Sequence, residues 1–170
     1  NDYFGMVVNN NSIIPEFTFD DTTIKLDDKN MWYIMGYFIG NGCCVDSIYK
    51  KTGKLRYDIC FCINEKHIED ILNISKDFLN LKFGHYSCKS GKASVYRVYN
   101  KVWFNIYKQF GKYAHGKLIP EWVQDAPVEY IQEFINGYLK ADGDINNQGR
   151  NRITTVSHNL AFGLQRLYLK

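Results

Sequence analysis

The feature of this sequence that most constrains its fold is a short segment that occurs twice. Residues 34–42 read Ile-Met-Gly-Tyr-Phe-Ile-Gly-Asn-Gly, and residues 135–143, 101 positions later, read Ile-Asn-Gly-Tyr-Leu-Lys-Ala-Asp-Gly. Among the matched positions are Gly36 with Gly137, Tyr37 with Tyr138, and Gly42 with Gly143. Glycine has no Cβ atom, so helices that carry it at equivalent positions can pack with their backbones in contact. The duplication therefore predicts two related half-domains joined along a pair of helices.

The two segments differ at one informative position, where Asn41 corresponds to Asp142. An acidic residue at the end of each helix would create a dense negative site that needs divalent cations, and carboxylate oxygens suit Mg²⁺. Metal ions in such a site can activate water and stabilise the leaving oxygen of a phosphodiester. Because Asn41 is neutral, we expect it to weaken both metal binding and strand cleavage. The small residues expected in the helix interface are Gly36, Gly40, Gly137 and Ala141.

The composition is that of a folded domain with a small excess of positive charge. The 170 residues are 45% hydrophobic and 16% aromatic, which is sufficient for a packed core and argues against disorder. A net charge of +3 permits a nucleic-acid partner without requiring one. The sequence has no apolar run of 18 residues, so we expect no membrane-spanning helix. Because no signal peptide is visible and the first residue is not Met, we expect an intracellular piece of a longer polypeptide, in the cytoplasm or nucleus.

The predicted elements follow one order twice, and the fold class is therefore α+β. We expect a leader or linker over residues 1–27, a first half of order αββαββα over residues 28–126, and an incomplete second half of order αββα over residues 127–170. Asp27 or Asp28 can cap the first helix, and Pro127 suits the start of the helix that carries the second segment.

The first hairpin is predicted over residues 43–49 and 55–63, which are joined by a polar connection that contains glycine. If Tyr49 pairs with Leu55, one face carries apolar side chains that include Cys43 and Val45, and the other face is charged. The same register makes Cys44 and Cys60 neighbours across the two strands. The cysteine spacing fits no zinc site, and we expect reduced thiols.

These segments resemble the two signature motifs of the LAGLIDADG homing endonucleases. Residues 130–143 match the motif closely, and residues 34–42 match it with Gly-Asn-Gly where the family has Ala/Gly-Asp-Gly. Residues 117–120, Lys-Leu-Ile-Pro, resemble a segment typical of the family members that are carried in inteins. The resemblance extends over residues 28–170. It implies a pseudo-twofold pair of αββαββα halves, whose sheets form a saddle on double-stranded DNA and whose motif helices form the central interface.

Position by position, the resemblance also implies functional residues. Asp142 is the expected metal ligand, Asn41 stands at the second metal position, and Lys117 is the candidate catalytic lysine of the first half, with Mg²⁺ as the expected cation. Side chains on the hairpins would contact phosphates and the edges of the bases. The expected DNA contacts are Lys50, Lys54, Arg56, Arg97, Arg150 and Arg152.

Three functions remain open from the sequence. The first is a site-specific DNA endonuclease domain, encoded in an intein, whose activity is impaired by Asn41 and whose partner in the same polypeptide is a splicing domain or host protein. The second is an inactive domain that binds DNA or persists as an inert insertion. The third is an RNA maturase, which the same scaffold can support.

Overall fold

Two long helices, each followed by a β-hairpin, form the framework of the fold. The computed structural model describes residues 12–49, 52–87, 93–146 and 148–170. The helices are α1 Lys29–Asn41, α2 Ile68–Ser75, α3 Lys101–Tyr107, α4 Tyr113–Gly116, α5 Glu121–Gln124, α6 Val128–Asp142 and α7 His158–Tyr168. The strands are β1 Glu16–Phe19, β2 Thr22–Lys25, β3 Gly42–Ile48, β4 Leu55–Asn64, β5 Lys82–Ser87, β6 Ala93–Tyr99, β7 Asp144–Ile145 and β8 Asn151–Arg152.

The order of the elements from α1 to α3 is αββαββα, and the order from α6 to α7 is αββα, which confirms the predicted α+β fold class. The first half holds a four-stranded antiparallel sheet with the strand order β3-β4-β6-β5. The corresponding described strands of the second half are β7 and β8, which pair over two residues each.

Both framework helices begin as the sequence predicts. Asp28 caps α1 by accepting a hydrogen bond from the backbone N–H of Asn30, and Pro127 precedes the first residue of α6. Each helix also ends at the last glycine of its repeated segment: the N–H of Gly42 donates to the carbonyl of Phe38, and that of Gly143 donates to the carbonyl of Leu139. The chain leaves both helices in extended conformation and enters a strand.

The hydrophobic core lies between the helix pair and the inner face of the four-stranded sheet. Ile59, Phe61 and Ile63 of β4 are fully buried there, as are Trp32 and Tyr37 of α1. The leader hairpin β1–β2 packs on the body of the protein, with the ring of Phe17 edge-on to Trp122 at 5.2 Å between centroids. Two short strands are predicted in this leader, over residues 7–8 and 17–19; the second lies in β1, and residues 7–8 are outside the described residues.

The register predicted for the first hairpin was wrong by one residue. Ile48, and not Tyr49, pairs with Leu55, and Cys43 rather than Cys44 lies opposite Cys60. Because side chains alternate between the faces of a strand, this shift exchanges the two faces of β3. Cys44 therefore packs against the core, and Cys43 lies on the opposite face of the sheet.

Apolar residues recur at helical spacing over residues 65–82, which predicts one helix there, and the observed helix is shorter. Regular α-helix ends at Ser75, whose hydroxyl donates to the carbonyl of Ile71 at 2.7 Å and is fully buried. Leu79 and Leu81 continue the apolar spacing and are buried, but they lie in a non-helical segment that leads into β5. In the described part of the chain no helix is long and apolar enough to cross a membrane.

Candidate active site

The helix pair α1–α6 brings the two repeated segments into direct backbone contact. A Cβ atom built on Gly36 would lie 1.9 Å from the carbonyl oxygen of Phe134, and one built on Gly137 would lie 1.9 Å from the carbonyl oxygen of Tyr33. The two contacts are reciprocal, as expected for a pseudo-twofold axis between the helices. No side chain larger than hydrogen fits at either position without separating the helices.

The ends of the two helices consequently lie side by side. A Cβ atom on Gly40 would lie 2.6 Å from Cβ of Ala141 and 3.3 Å from Cβ of Asp142. Asn41 is tied to the opposite helix, since its Nδ2 donates a hydrogen bond of 2.8 Å to the carbonyl oxygen of Ala141. Asn41, which stands where an acid is expected, thus links the ends of the two helices.

Lys117 reaches the same place from the segment between α4 and α5. Its Nζ donates to the carbonyl oxygens of Ile39 at 2.6 Å and Gly40 at 2.9 Å. These are among the last carbonyls of α1, which carry the negative end of the helix dipole. Burial lowers the pKa of the Lys117 ammonium from its ordinary value, while the charge of Asp142 acts in the opposite direction.

The backbone of Lys117 is fixed by the second half of the protein. The buried hydroxyl of Ser157 donates to the carbonyl oxygen of Lys117 at 2.6 Å and accepts from the N–H of Leu160, so it also caps α7. On the other side, the N–H of Leu118 donates to the carbonyl of Phe110 at 3.0 Å. Lys117 is therefore held at the junction of both halves.

Asp142 is the last residue of α6 and is exposed to solvent. Partial burial raises the pKa of its carboxyl group, and the Lys117 ammonium opposes that shift. Asp142 and Lys117 both line a pocket of about 220 Å³ between the helix ends and α7. The remaining walls of this pocket include Gly40, Tyr138, Thr154, Thr155 and Leu160.

Solved structures of another protein have a similar fold. An I-DmoI variant crystallised with its target DNA in the presence of Mg superposes with a TM-score of 0.52 and 15% sequence identity, over 68% of this chain and 62% of that chain. A second I-DmoI structure, with nicked target DNA and Mn, gives a TM-score of 0.50 and 16% identity over 74% of this chain and 66% of the other. The chain has the LAGLIDADG endonuclease fold.

Sequence comparison finds relatives among much longer proteins. The chain is 29% identical over 161 residues to the DNA-directed RNA polymerase subunit Rpo1C of Methanocaldococcus jannaschii, and 31% identical over 144 residues to the probable translation initiation factor IF-2 of the same organism. It is 25% identical over 136 residues to a DNA polymerase of Thermococcus litoralis. These alignments cover 91%, 84% and 79% of this chain but 17%, 12% and 8% of the relatives. No known protein-family model matches the sequence.

The adjoining ends of α1 and α6 present oxygen atoms, the kind of donor that hard divalent cations prefer. The Asp142 carboxylate and the amide oxygen of Asn41 are such donors, whereas the carbonyls of Gly40 and Ala141 already accept hydrogen bonds from Lys117 and Asn41. No group of three or more His, Cys, Asp or Glu side chains occurs among the described residues, so the carboxylate of Asp142 has no acidic cluster around it there. At their adjoining ends α1 and α6 therefore contribute one carboxylate, that of Asp142.

Two predicted DNA contacts, Arg56 and Arg97, lie together on one face of the four-stranded sheet. We call this face the outer face and define it by Arg56, Asp58, Cys60, Arg97 and Tyr99. The strand register sets Asp58 beside Tyr99 and Cys60 beside Arg97, on the side opposite the buried Ile59 and Phe61. Nη2 of Arg56 and Nη1 of Arg97 lie 3.3 Å and 3.9 Å from Oδ2 of Asp58.

The other predicted contacts lie apart from this group. Lys54 is exposed just before β4, while Lys50 lies outside the described residues. Arg150 and Arg152 are exposed in and beside the turn of the second-half hairpin, where the Arg152 guanidinium pairs with Asp144.

Sequence reasoning missed two residues of this arrangement. Ser157 was not singled out, although a serine just before an apolar helical run is a usual cap signal. The sequence gives no signal for a role of Asp58, because its burial between two arginines depends on the pairing of β4 with β6. Only the three-dimensional register brings Arg97 to Asp58.

Proposed function

We propose that this chain is a site-specific endonuclease domain for double-stranded DNA. The observation that carries the proposal is the convergence of Asp142, Lys117 and Asn41 at the adjoining ends of the backbone-packed helices. I-DmoI, whose fold the chain shares, is a homing endonuclease that was crystallised on its target DNA. A catalytic centre at the pseudo-twofold axis would address both strands of a duplex.

We further propose that the domain belongs to an insertion, of the intein type, within a host protein. An RNA polymerase subunit, a translation factor and DNA polymerases perform different tasks, yet a segment of each, at most 17% of its length, resembles most of this chain. A mobile domain inserted in several hosts accounts for such a pattern. A splicing domain and the host protein would then be partners in the same polypeptide.

Each residue at the helix ends has a distinct part in this proposal. A bound divalent cation such as Mg²⁺ would supply charge for water activation and for the leaving oxygen. Asp142 would hold that cation through its carboxylate. Lys117, anchored on the carbonyls of Ile39 and Gly40, would orient water and stabilise the charge that develops on the phosphate.

Asn41 is the residue that limits catalysis in this proposal. Its amide can supply one neutral oxygen, and its nitrogen is engaged with the carbonyl of Ala141. A carboxylate at this position would double the acidic charge provided by the two helix ends, at the cost of that hydrogen bond. The same observation favours the alternative function, an inactive domain that binds DNA or persists as an inert insertion.

A cleavage assay separates these functions. The substrate is host-gene DNA from which the inserted segment has been removed, with Mg²⁺ present. We expect Asn41→Asp to cut at a single site, and we expect the unchanged chain to cut slowly or not at all. The double variant Asn41→Asp with Asp142→Asn is the matched control and should not cut. Specific binding without cleavage by Asn41→Asp would favour an inactive DNA-binding domain, and neither binding nor cleavage at low salt would favour an inert insertion.

A further inference from the structure

The most unusual side chain on the outer face of the sheet is Asp58. It lies within β4 and is 3% exposed, on the face that points away from the core. Burying a carboxylate is costly unless a charged partner compensates. Burial raises the pKa of the Asp58 carboxyl, and Arg56 and Arg97 oppose this shift. An acid in this position also lowers the positive charge of a surface proposed to meet phosphates, so phosphate attraction does not explain it.

Asp58 holds two guanidinium groups in fixed places. Its Oδ2 lies 3.3 Å from Nη2 of Arg56 and 3.9 Å from Nη1 of Arg97. Both arginines are half-buried, with side-chain exposures of 32% and 28%. Long side chains in water lose considerable entropy when a ligand fixes them, and this network removes much of that freedom in advance.

Further contacts restrain the same two arginines. The guanidinium carbon of Arg56 lies 4.6 Å from the ring centre of Tyr99 and 5.6 Å from that of Tyr49, within cation–π range. Arg97 runs over Gly84 of the neighbouring strand, where a Cβ atom would come within 3.1 Å of its Nε. The aromatic rings and the glycine together define where each guanidinium lies.

Building on the proposed function, we propose that Asp58 is a positioning residue that sets the sequence specificity of the domain by aligning Arg56 and Arg97 on guanine bases. A guanidinium has five N–H donors, and it recognises guanine in the major groove through O6 and N7. A pair of arginines anchored on one buried carboxylate would read guanines at defined positions, whereas mobile arginines would contact phosphates of any sequence. Asp58 acts through the arginines and does not itself touch DNA.

The experiment compares base preference with overall affinity. The 170-residue chain and its variants are allowed to select duplexes from a randomised DNA pool, and Kd is then measured on the selected duplex and on unrelated DNA. The variants are Asp58→Asn, which keeps the size but removes the charge, Arg56→Gln and Arg97→Gln. Lys54→Gln is the matched control, because Lys54 is exposed beside the same strand.

We expect Asp58→Asn to lower the preference for guanine about tenfold at the positions that Arg56→Gln and Arg97→Gln also affect, and to leave affinity for unrelated DNA equal or higher. Lys54→Gln should weaken binding to all sequences alike. An unchanged guanine preference in Asp58→Asn would overturn the inference. Guanine preference that is independent of both arginines would overturn it as well, even if Asp58→Asn fails to fold. If the unchanged chain binds no DNA at low salt, the proposed function itself fails; if it binds specifically, only the role of Asp58 is in question.

Discussion

At the scale of single residues, the pairing of Asp142 with Lys117 determines how the site responds to pH. The carboxylate must be deprotonated to hold a metal ion. Partial burial raises the pKa of Asp142, and the Lys117 charge lowers it. Metal binding should therefore weaken as the pH falls through the raised pKa of Asp142, and it should recover as the pH rises.

Removing the Lys117 charge gives a directional prediction. Lys117→Met should raise the pKa of Asp142 further, so the midpoint of Mn²⁺ binding moves to higher pH in calorimetric titrations. Lys112→Met is the control, because Lys112 is exposed and pairs with Asp46 at 3.4 Å. A midpoint that stays in place or moves to lower pH in Lys117→Met would show that the two charges do not interact at the metal position.

Ser157 supports the site indirectly, through its hydrogen bond to the backbone of Lys117. Ser157→Ala removes the cap of α7 and the hydrogen bond to the carbonyl of Lys117, both in a buried setting. We expect a loss of about 1–2 kcal/mol in the free energy of unfolding, measured by urea denaturation. Thr154→Ala, at an exposed position nearby, should change stability by less than about 0.5 kcal/mol. Equal stability of the two variants would argue against a structural link between α7 and Lys117.

At the scale of elements, the contact between α1 and α6 leaves no room for a side chain at Gly36 or Gly137. Gly36→Ala places a methyl group where a carbonyl oxygen now lies, and backbone cannot move aside as a flexible side chain can. We expect a loss of at least about 2–3 kcal/mol and a clear fall in Tm. Gly116→Ala is the control, because nothing lies within 4 Å of a Cβ atom there. A Gly36→Ala variant as stable as Gly116→Ala would contradict the close packing of the helix pair.

The elements also show how far the sequence could predict this structure. Caps, periodic apolar residues and glycine stops placed α1 and α6 correctly, because these signals are local. The register of β3 against β4 is not determined by the local pattern of apolar residues. Ile48 pairs with Leu55, and the N–H of Tyr49 donates to the carbonyl of Lys54. The end of α2 at Ser75 was missed because Leu79 and Leu81 continue a helical spacing while packing from a non-helical segment.

At the scale of the whole molecule, the candidate site depends on both halves. α1 supplies Asn41, α6 supplies Asp142, and the segment between α4 and α5 supplies Lys117. The repeat predicted the first two as partners because it aligns them. The place of Lys117 could be expected only through the family resemblance, since its contacts with Ile39 and Gly40 join residues 78 and 77 positions apart.

Recognition of one DNA site is tested by equilibrium binding to the uninterrupted host junction. A duplex that spans this junction is compared with duplexes from the two ends of the inserted segment, in which the junction sequence is divided. We predict at least about a thousandfold tighter Kd for the uninterrupted junction, with affinity that falls steeply as salt increases. Equal binding to the uninterrupted and divided sequences would show that the domain does not recognise the junction.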